Sequence, residues 1–111
     1  MKTGEPQGRD FFFKTIAEFA DCLSPELNIV DARSILTVSG PSLKDGSVVK
    51  QIDRIVVSGD IVATDAYCAG ILADNDKTFD KKSIAATLQY AEKLGLGVAD
   101  LSRVKIVEIN A

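Results

Sequence analysis

The run Ile55-Val56-Val57-Ser58-Gly59-Asp60, followed at once by Ile61-Val62-Ala63-Thr64-Asp65-Ala66, restricts this chain more than any other stretch. Three consecutive β-branched residues favour extended backbone and read as a strand buried on both faces, as in a central parallel strand. Gly59 releases the chain from that strand, and Asp60 offers a short carboxylate to the free N–H groups of a helix start. The small residues Ala63, Ala66, Ala69 and Gly70 let the helix lie close against a sheet. A strand that empties through Gly-Asp into such a helix opens an α/β unit.

The flanking segments extend this unit. After Asp10, residues Phe12, Ile16, Phe19, Ala20 and Leu23 fall on one helical face, which is expected to be buried. Ser24-Pro25 stops that helix, because proline disfavours helical backbone in the residue before it. A strand is expected over 27–33, extendable through Ile35, Leu36 and Val38 until Gly40-Pro41-Ser42 breaks it. Lys44-Asp45-Gly46-Ser47 reads as a turn, and the second strand spans 51–58. Beyond the second helix and a polar loop over 74–80, a third helix buries Ile84, Leu88, Ala91 and Leu94 and closes at Gly95. Residues 103–109 read as a last strand. The order α-β-β-α-α-β predicts an α/β fold: a small mixed, largely parallel sheet of three to four strands packed with three helices. Its last β-α-α-β portion is expected to be a right-handed crossover. Residues 1–10 are expected as a disordered leader or a cloning-derived start, and 11–111 as one α/β domain.

Composition narrows the chemistry. With 46% apolar residues in 111, the chain holds enough material for a core without disulfide staples. Thirteen basic against sixteen acidic residues give a net charge of −3, which argues against a nucleic-acid partner. No stretch approaches the ~20 apolar residues of a membrane span, and no secretory h-region appears, so a soluble, cytoplasmic protein is expected. Histidine is absent, which excludes imidazole triads, imidazole metal sites and imidazole pH switches. Cys22 and Cys68 stand 46 residues apart (68 − 22), without a C-x-x-C pair, and are expected as buried free thiols, a disulfide between them or a reactive thiol being the alternatives. Two cysteines cannot ligate a zinc ribbon or a self-contained iron–sulfur cluster.

Aspartate is the informative residue class, eleven against five glutamates. Most serve turns and caps, but Asp31, Asp60 and Asp65 each adjoin an expected strand end or the helix after it, where ligands bind open α/β sheets. Ser58 and Gly59 would supply close backbone approach there. Asp60 and Asp65 are the candidate ligands for a divalent cation such as Mg²⁺; the bland alternative is that Asp60 caps its helix and Asp65 pairs with a neighbour. Other signals fail on spacing. Gly40 and Gly46 are separated by five residues and followed by Ser47, unlike a phosphate-binding P-loop. The stretch over 74–85 carries Phe79 and Ala85 where a calcium loop needs glycine and glutamate. Gly95-Leu96-Gly97 reads as a helix stop, not a dinucleotide site. The run Phe11-Phe12-Phe13 cannot face one core, so either Phe11 or Phe13 is expected to meet another chain or domain unless all are buried internally.

The ordered set Leu27-Asn28-Ile29-Val30-Asp31-Ala32, Gly40-Pro41, and Val57 through Ala66 resembles the domain of unknown function 362 family. The ending Ala91-Glu92-Lys93-Leu94-Gly95-Leu96-Gly97 with Asp100-Leu101 looks similar too, so the resemblance spans residues 27–109 and suggests the family's C-terminal part. It implies an uncharacterised, bacterial or archaeal, iron–sulfur-associated protein. Asp31, Gly40, Pro41, Asp60 and Asp65 match recurrent family positions. Ile61 stands where the family often has proline, and cluster cysteines are lacking. A four-iron–four-sulfur cluster is therefore expected only from sequence outside this chain, in a missing N-terminal half or a ferredoxin-like module. The leading expectation is a domain contributing a metal- or small-molecule-binding edge to a redox-associated protein. The alternative is a structural or assembly module without a ligand site, including a homodimer. A hydrolase with paired carboxylates lacks a visible nucleophile, and whether the chain is an enzyme stays open.

Overall fold

The computed structural model describes residues 5–38 and 46–110, with side chains from Phe11 onward. The elements are α1 (Glu5–Leu23), β1 (Asn28–Thr37), β2 (Val48–Ser58), α2 (Ile61–Asn75), α3 (Lys82–Lys93) and a 3-10 turn at Leu101–Arg103. Helix α1 thus begins five residues before the expected Asp10 cap, and it ends at Ser24-Pro25 as expected. Gly40, Pro41 and the first two residues of the expected turn, Lys44 and Asp45, lie outside the described residues.

The sheet departs from expectation. Among the described residues it has two strands, β1 and β2, and they are antiparallel. Only residues 38–47 connect them, fewer than the dozen or so that a crossover to a parallel neighbour requires. Pairing runs from Asn28↔Ser58 to Thr37↔Val48, with a register shift where Arg33 faces two residues of β2. There Asp53 adopts a left-handed backbone (φ 53°), a conformation that aspartate tolerates in a bulge. Helix α2 packs on the hairpin face that carries Val30, Ala32, Val56 and Ser58. The opposite face is bare: Ile29, Ile55 and Val57 are 66%, 61% and 59% exposed. The β-branched run is covered on one side, not two.

The last expected strand is also corrected. Residues 104–110 form no strand and join no ladder. Two antiparallel helices return the chain to the end of the sheet where α2 began, so the tail starts beside Asp60 and reaches the level of Arg54 only near Glu108. The hydrogen bonds Val98–Asp60 and Tyr67–Glu108, with Arg54 on Tyr67, fix that direction. The tail therefore runs opposite to β2, not parallel to it.

The core lies between helices. Ala17 of α1, Val62 of α2 and Ala91 of α3 are 1%, 2% and 6% exposed, and Ile61, Leu88, Leu96 and Ala99 pack round them. Helix α1 buries this stripe with half-buried Phe13 and Ala20, one position round from the expected one. Phe12, Phe19 and Leu23, expected inside, are 61%, 68% and 77% exposed, and Phe11 is exposed as well. Hydrophobic periodicity locates a helix's apolar side but cannot choose between two adjacent apolar stripes. Tyr90 fastens α1 to α3, donating to Glu18 and lying under the Lys14 ammonium. The radius of gyration, 15.2 Å, exceeds the ~13 Å of a compact chain this long, as a core so small would produce.

Gly95 does close α3. With φ at +80°, it lets its own N–H reach the Glu92 carbonyl at 3.0 Å and the Leu96 N–H reach the Ala91 carbonyl at 3.1 Å. Leu96 is thereby folded back onto the core. Gly95→Ala should cost about 1–2 kcal/mol in urea unfolding, the penalty of a left-handed alanine.

Candidate functional site

Asp60 is the most connected of the expected site residues. Ser58 first sets its position: the Ser58 hydroxyl oxygen accepts the Asp60 N–H at 2.9 Å, bending the chain through Gly59. Asp60 Oδ1 then accepts the N–H groups of Val62 and Ala63, both at 2.9 Å, and its carbonyl accepts the Thr64 hydroxyl at 2.7 Å. Its other oxygen, Oδ2, accepts the Val98 N–H from the far side of the fold, also at 2.9 Å. The carboxylate is thus the N-cap of α2 and the anchor of the chain after α3. It packs directly on Gly97, where a Cβ would lie 1.8 Å from Oδ1. Gly59, by contrast, is exposed and meets only the Glu26 carbonyl, at ordinary contact distance.

Asp31 lies elsewhere. It is the fourth residue of β1, on the bare sheet face opposite Ile55, and not at a strand end. Arg33 holds it in a bidentate pair, with Nη2 to Oδ2 at 2.8 Å and Nε to Oδ1 at 3.0 Å. The guanidinium hydrogen bonds lower the Asp31 pKa to about 2. Both side chains are well exposed, so the pair adds little to stability.

Asp65 sits one turn into α2 and lines an open groove of about 510 Å³ beneath α1. Ile16, Leu27, Val30, Leu88 and Leu96 supply its apolar walls, and Thr64 and Thr87 its polar points. Solvent reaches Asp65, yet the surrounding apolar groups desolvate its carboxyl and raise its pKa. No hydrogen-bond partner for it occurs among the described residues. Burial and then the Asp65 charge push up the thiol pKa of Cys68, so this is not an activated nucleophile. Cys68 is half-buried; Cys22, expected inside, is exposed.

The three aspartates therefore occupy three settings: an ion pair on the bare sheet face, a helix cap, and a groove wall. Among the described residues no group of three or more acidic or cysteine side chains is placed to hold a metal ion. Nor is any helix there long and apolar enough to cross a membrane.

Sequence reasoning placed Asp76 in a solvated loop, but it is buried. Its Oδ1 accepts both the N–H and the hydroxyl of Thr78, and its Oδ2 accepts the Val38 N–H at 3.0 Å. Those bonds, the Thr78 hydroxyl first, lower its pKa. Val38 needs this support, because its left-handed backbone (φ 58°) is strained for a β-branched residue. The Asp-x-Thr pattern directly after α2 was the available signal, since aspartate bonds to backbone two residues on. Gly97 was likewise read only as a helix stop, although its value is as a seat for the Asp60 carboxylate.

Two outcomes follow for these aspartates. Asp60→Ala should lower stability by about 1–2 kcal/mol, as loss of a helix cap does, and Gly97→Ala should cost at least as much in chemical denaturation. Asp65→Asn should raise the melting temperature at neutral pH. A carboxyl whose folded pKa is raised binds its proton more tightly in the folded state, so stability is lost as pH climbs through the window between the unfolded and folded values. The gain of the asparagine variant should disappear when melts are repeated below the ordinary carboxylate range.

The sequence matches a family model over residues 2–70, that of DUF362, a domain of unknown function. The match takes in α1, the hairpin and two-thirds of α2, and it begins earlier and ends sooner than the expected span of 27–109. No curated protein and no solved structure matches. Covering more than half of the chain, the match establishes that this protein belongs to the DUF362 family.

Proposed function

We propose that the chain is a structural and assembly module, whose work is to pack on another polypeptide, with its aspartates serving mainly to hold its own fold. The observation that carries this reading is the uncovered sheet face. Ile29, Ile55 and Val57 lie together on it through the Ile29↔Val57 and Asp31↔Ile55 pairs, and all three are more than half exposed. Monomeric proteins rarely leave contiguous apolar patches beyond a few hundred Å² uncovered. The outer stripe of α1, with Phe12, Phe19 and Leu23, adds a second such surface. In this reading, any iron–sulfur chemistry of the assembly belongs to the partner, because the chain brings only two separated cysteines.

A second reading keeps Asp65 as a contact for a cation or a small ligand. Its carboxyl in the apolar groove, without a hydrogen-bond partner among the described residues, favours it, while Asp60, committed to three backbone donors, supports only the capping role.

The two readings separate on two measurements. The folded chain should bind the apolar dye anilinonaphthalene sulfonate, and the pair Ile55→Thr and Val57→Thr should cut that binding while changing unfolding free energy by no more than about 0.5 kcal/mol per site. Absence of dye binding, or collapse of the variant's stability, would sink the assembly reading. A melting-temperature rise with Mg²⁺ or Mn²⁺ that Asp65→Asn abolishes would favour the ligand reading.

A further inference from the structure

We infer that the groove beneath α1 is a binding site for a small organic ammonium compound. The Asp65 carboxylate and the Thr87 hydroxyl hold its protonated amine, and the groove walls cover an apolar body. The inference rests on the ligand reading of Asp65 and narrows it to one class of ligand. It is independent of the assembly reading, which concerns the sheet face.

Size and lining come first. At about 510 Å³ the groove lies within the ~300–1,000 Å³ of small-molecule sites, and like them it is mostly apolar with a few polar groups. Ile16 of α1, Val30 of β1, Leu88 of α3 and Leu96 beyond it belong to its lining. The walls thus come from separate segments of the chain, brought together only by the fold.

Two polar groups in the groove are unspent. The Thr64 hydroxyl is already committed to the Asp60 carbonyl. Asp65 on α2 and Thr87 on α3 make no side-chain hydrogen bond or ion pair among the described residues. No lysine or arginine among them lines the groove.

Charge then selects the ligand. The apolar neighbours desolvate the Asp65 carboxylate, and an opposite charge placed beside it there is held more strongly than it would be in open water. An anion would be repelled. A neutral ligand would cover the carboxylate without pairing it, which costs free energy. A metal ion fits poorly on coordination grounds. Mg²⁺ and Ca²⁺ take about six or more oxygen ligands. The groove supplies one carboxylate, and no group of three acidic or cysteine side chains stands among the described residues. An ammonium group carries three donors at most, so the carboxylate and one hydroxyl oxygen satisfy most of it, and water at the open side takes the rest. Its apolar body displaces water from the aliphatic walls, which a hydrated metal ion would leave wet.

Nuclear magnetic resonance titration of the full chain, read at the backbone amides, tests this. The probe is 4-phenylbutylamine, and 4-phenylbutanol is its uncharged counterpart. The amine should shift the amides of Asp65, Thr87 and Leu96 saturably, with a Kd of about 1 mM or tighter, a range open to a ligand of this size. The alcohol should bind about tenfold more weakly, because it lacks the charge-assisted hydrogen bond. Asp65→Asn should weaken the amine about tenfold and erase its advantage over the alcohol, and Thr87→Val should weaken it about threefold, both with the amide spectrum of a folded chain.

Absence of saturable shifts overturns the inference. Equal binding of amine and alcohol does so too, as does amine binding that Asp65→Asn leaves intact. An acetyl-Leu-Lys-Leu-amide peptide that binds roughly tenfold more tightly than the amine would also overturn it, giving the groove to a lysine of another polypeptide. A melting-temperature rise with Mg²⁺ or Mn²⁺ that requires Asp65, without amine binding, would show that the amine site fails while the ligand reading of Asp65 stands. Failure of amine and metal alike would end both.

Discussion

The fold depends on one carboxylate. Asp60 closes the N-terminus of α2 with Oδ1 and, with Oδ2, captures the backbone of Val98, thirty-eight residues later. Through that second bond the end of the α2–α3 pair returns to the end of the sheet, and the tail is set beside β2. Gly97 is the steric condition for the arrangement, since any Cβ there would occupy the space of the carboxylate. Asp76 does the matching work at the other end of α2, binding the strained Val38 after β1 and the Thr78 turn. Two aspartates, one at each end of one helix, hold the helix layer to the hairpin.

These ties matter because the apolar core is modest. Small residues on three helices form it, and the largest apolar side chains of α1 and of the hairpin's outer face remain in solvent. A chain that leaves so much apolar surface uncovered gains less from burial than its composition would allow. Its directional polar contacts must then specify geometry that packing alone would leave loose. The same uncovered surface supports a role in assembly, and it lies apart from the Asp60 cap.

Much of the local structure was legible in the residues. The Asp60 cap, the stop at Ser24-Pro25 and the left-handed Gly95 all rest on backbone chemistry confined to a few neighbours, so each could be read without knowing the fold. The buried stripe of α1 was not legible, because Ala17 and Phe12 belong to adjacent stripes and only the position of α3 selects between them. The apolar run Ile55-Val56-Val57 suggested two covered faces, yet a strand's side chains report what they could be buried against, not what is present. Asp31, Asp60 and Asp65 matched one family pattern, but the strand, the cap and the groove place them in different surroundings.

The sequence by itself determined three helices and two strands, their order and several of their ends, because propensity, capping and turn chemistry act over three or four residues. Only the tertiary structure decided the direction of pairing and the partners of each carboxylate. Strand direction followed from a connection too short to cross the sheet and from two helices that return the chain to its starting end. The carboxylate partners, Val98 for Asp60 and Val38 for Asp76, each lie thirty-eight residues away, a distance over which no local rule acts.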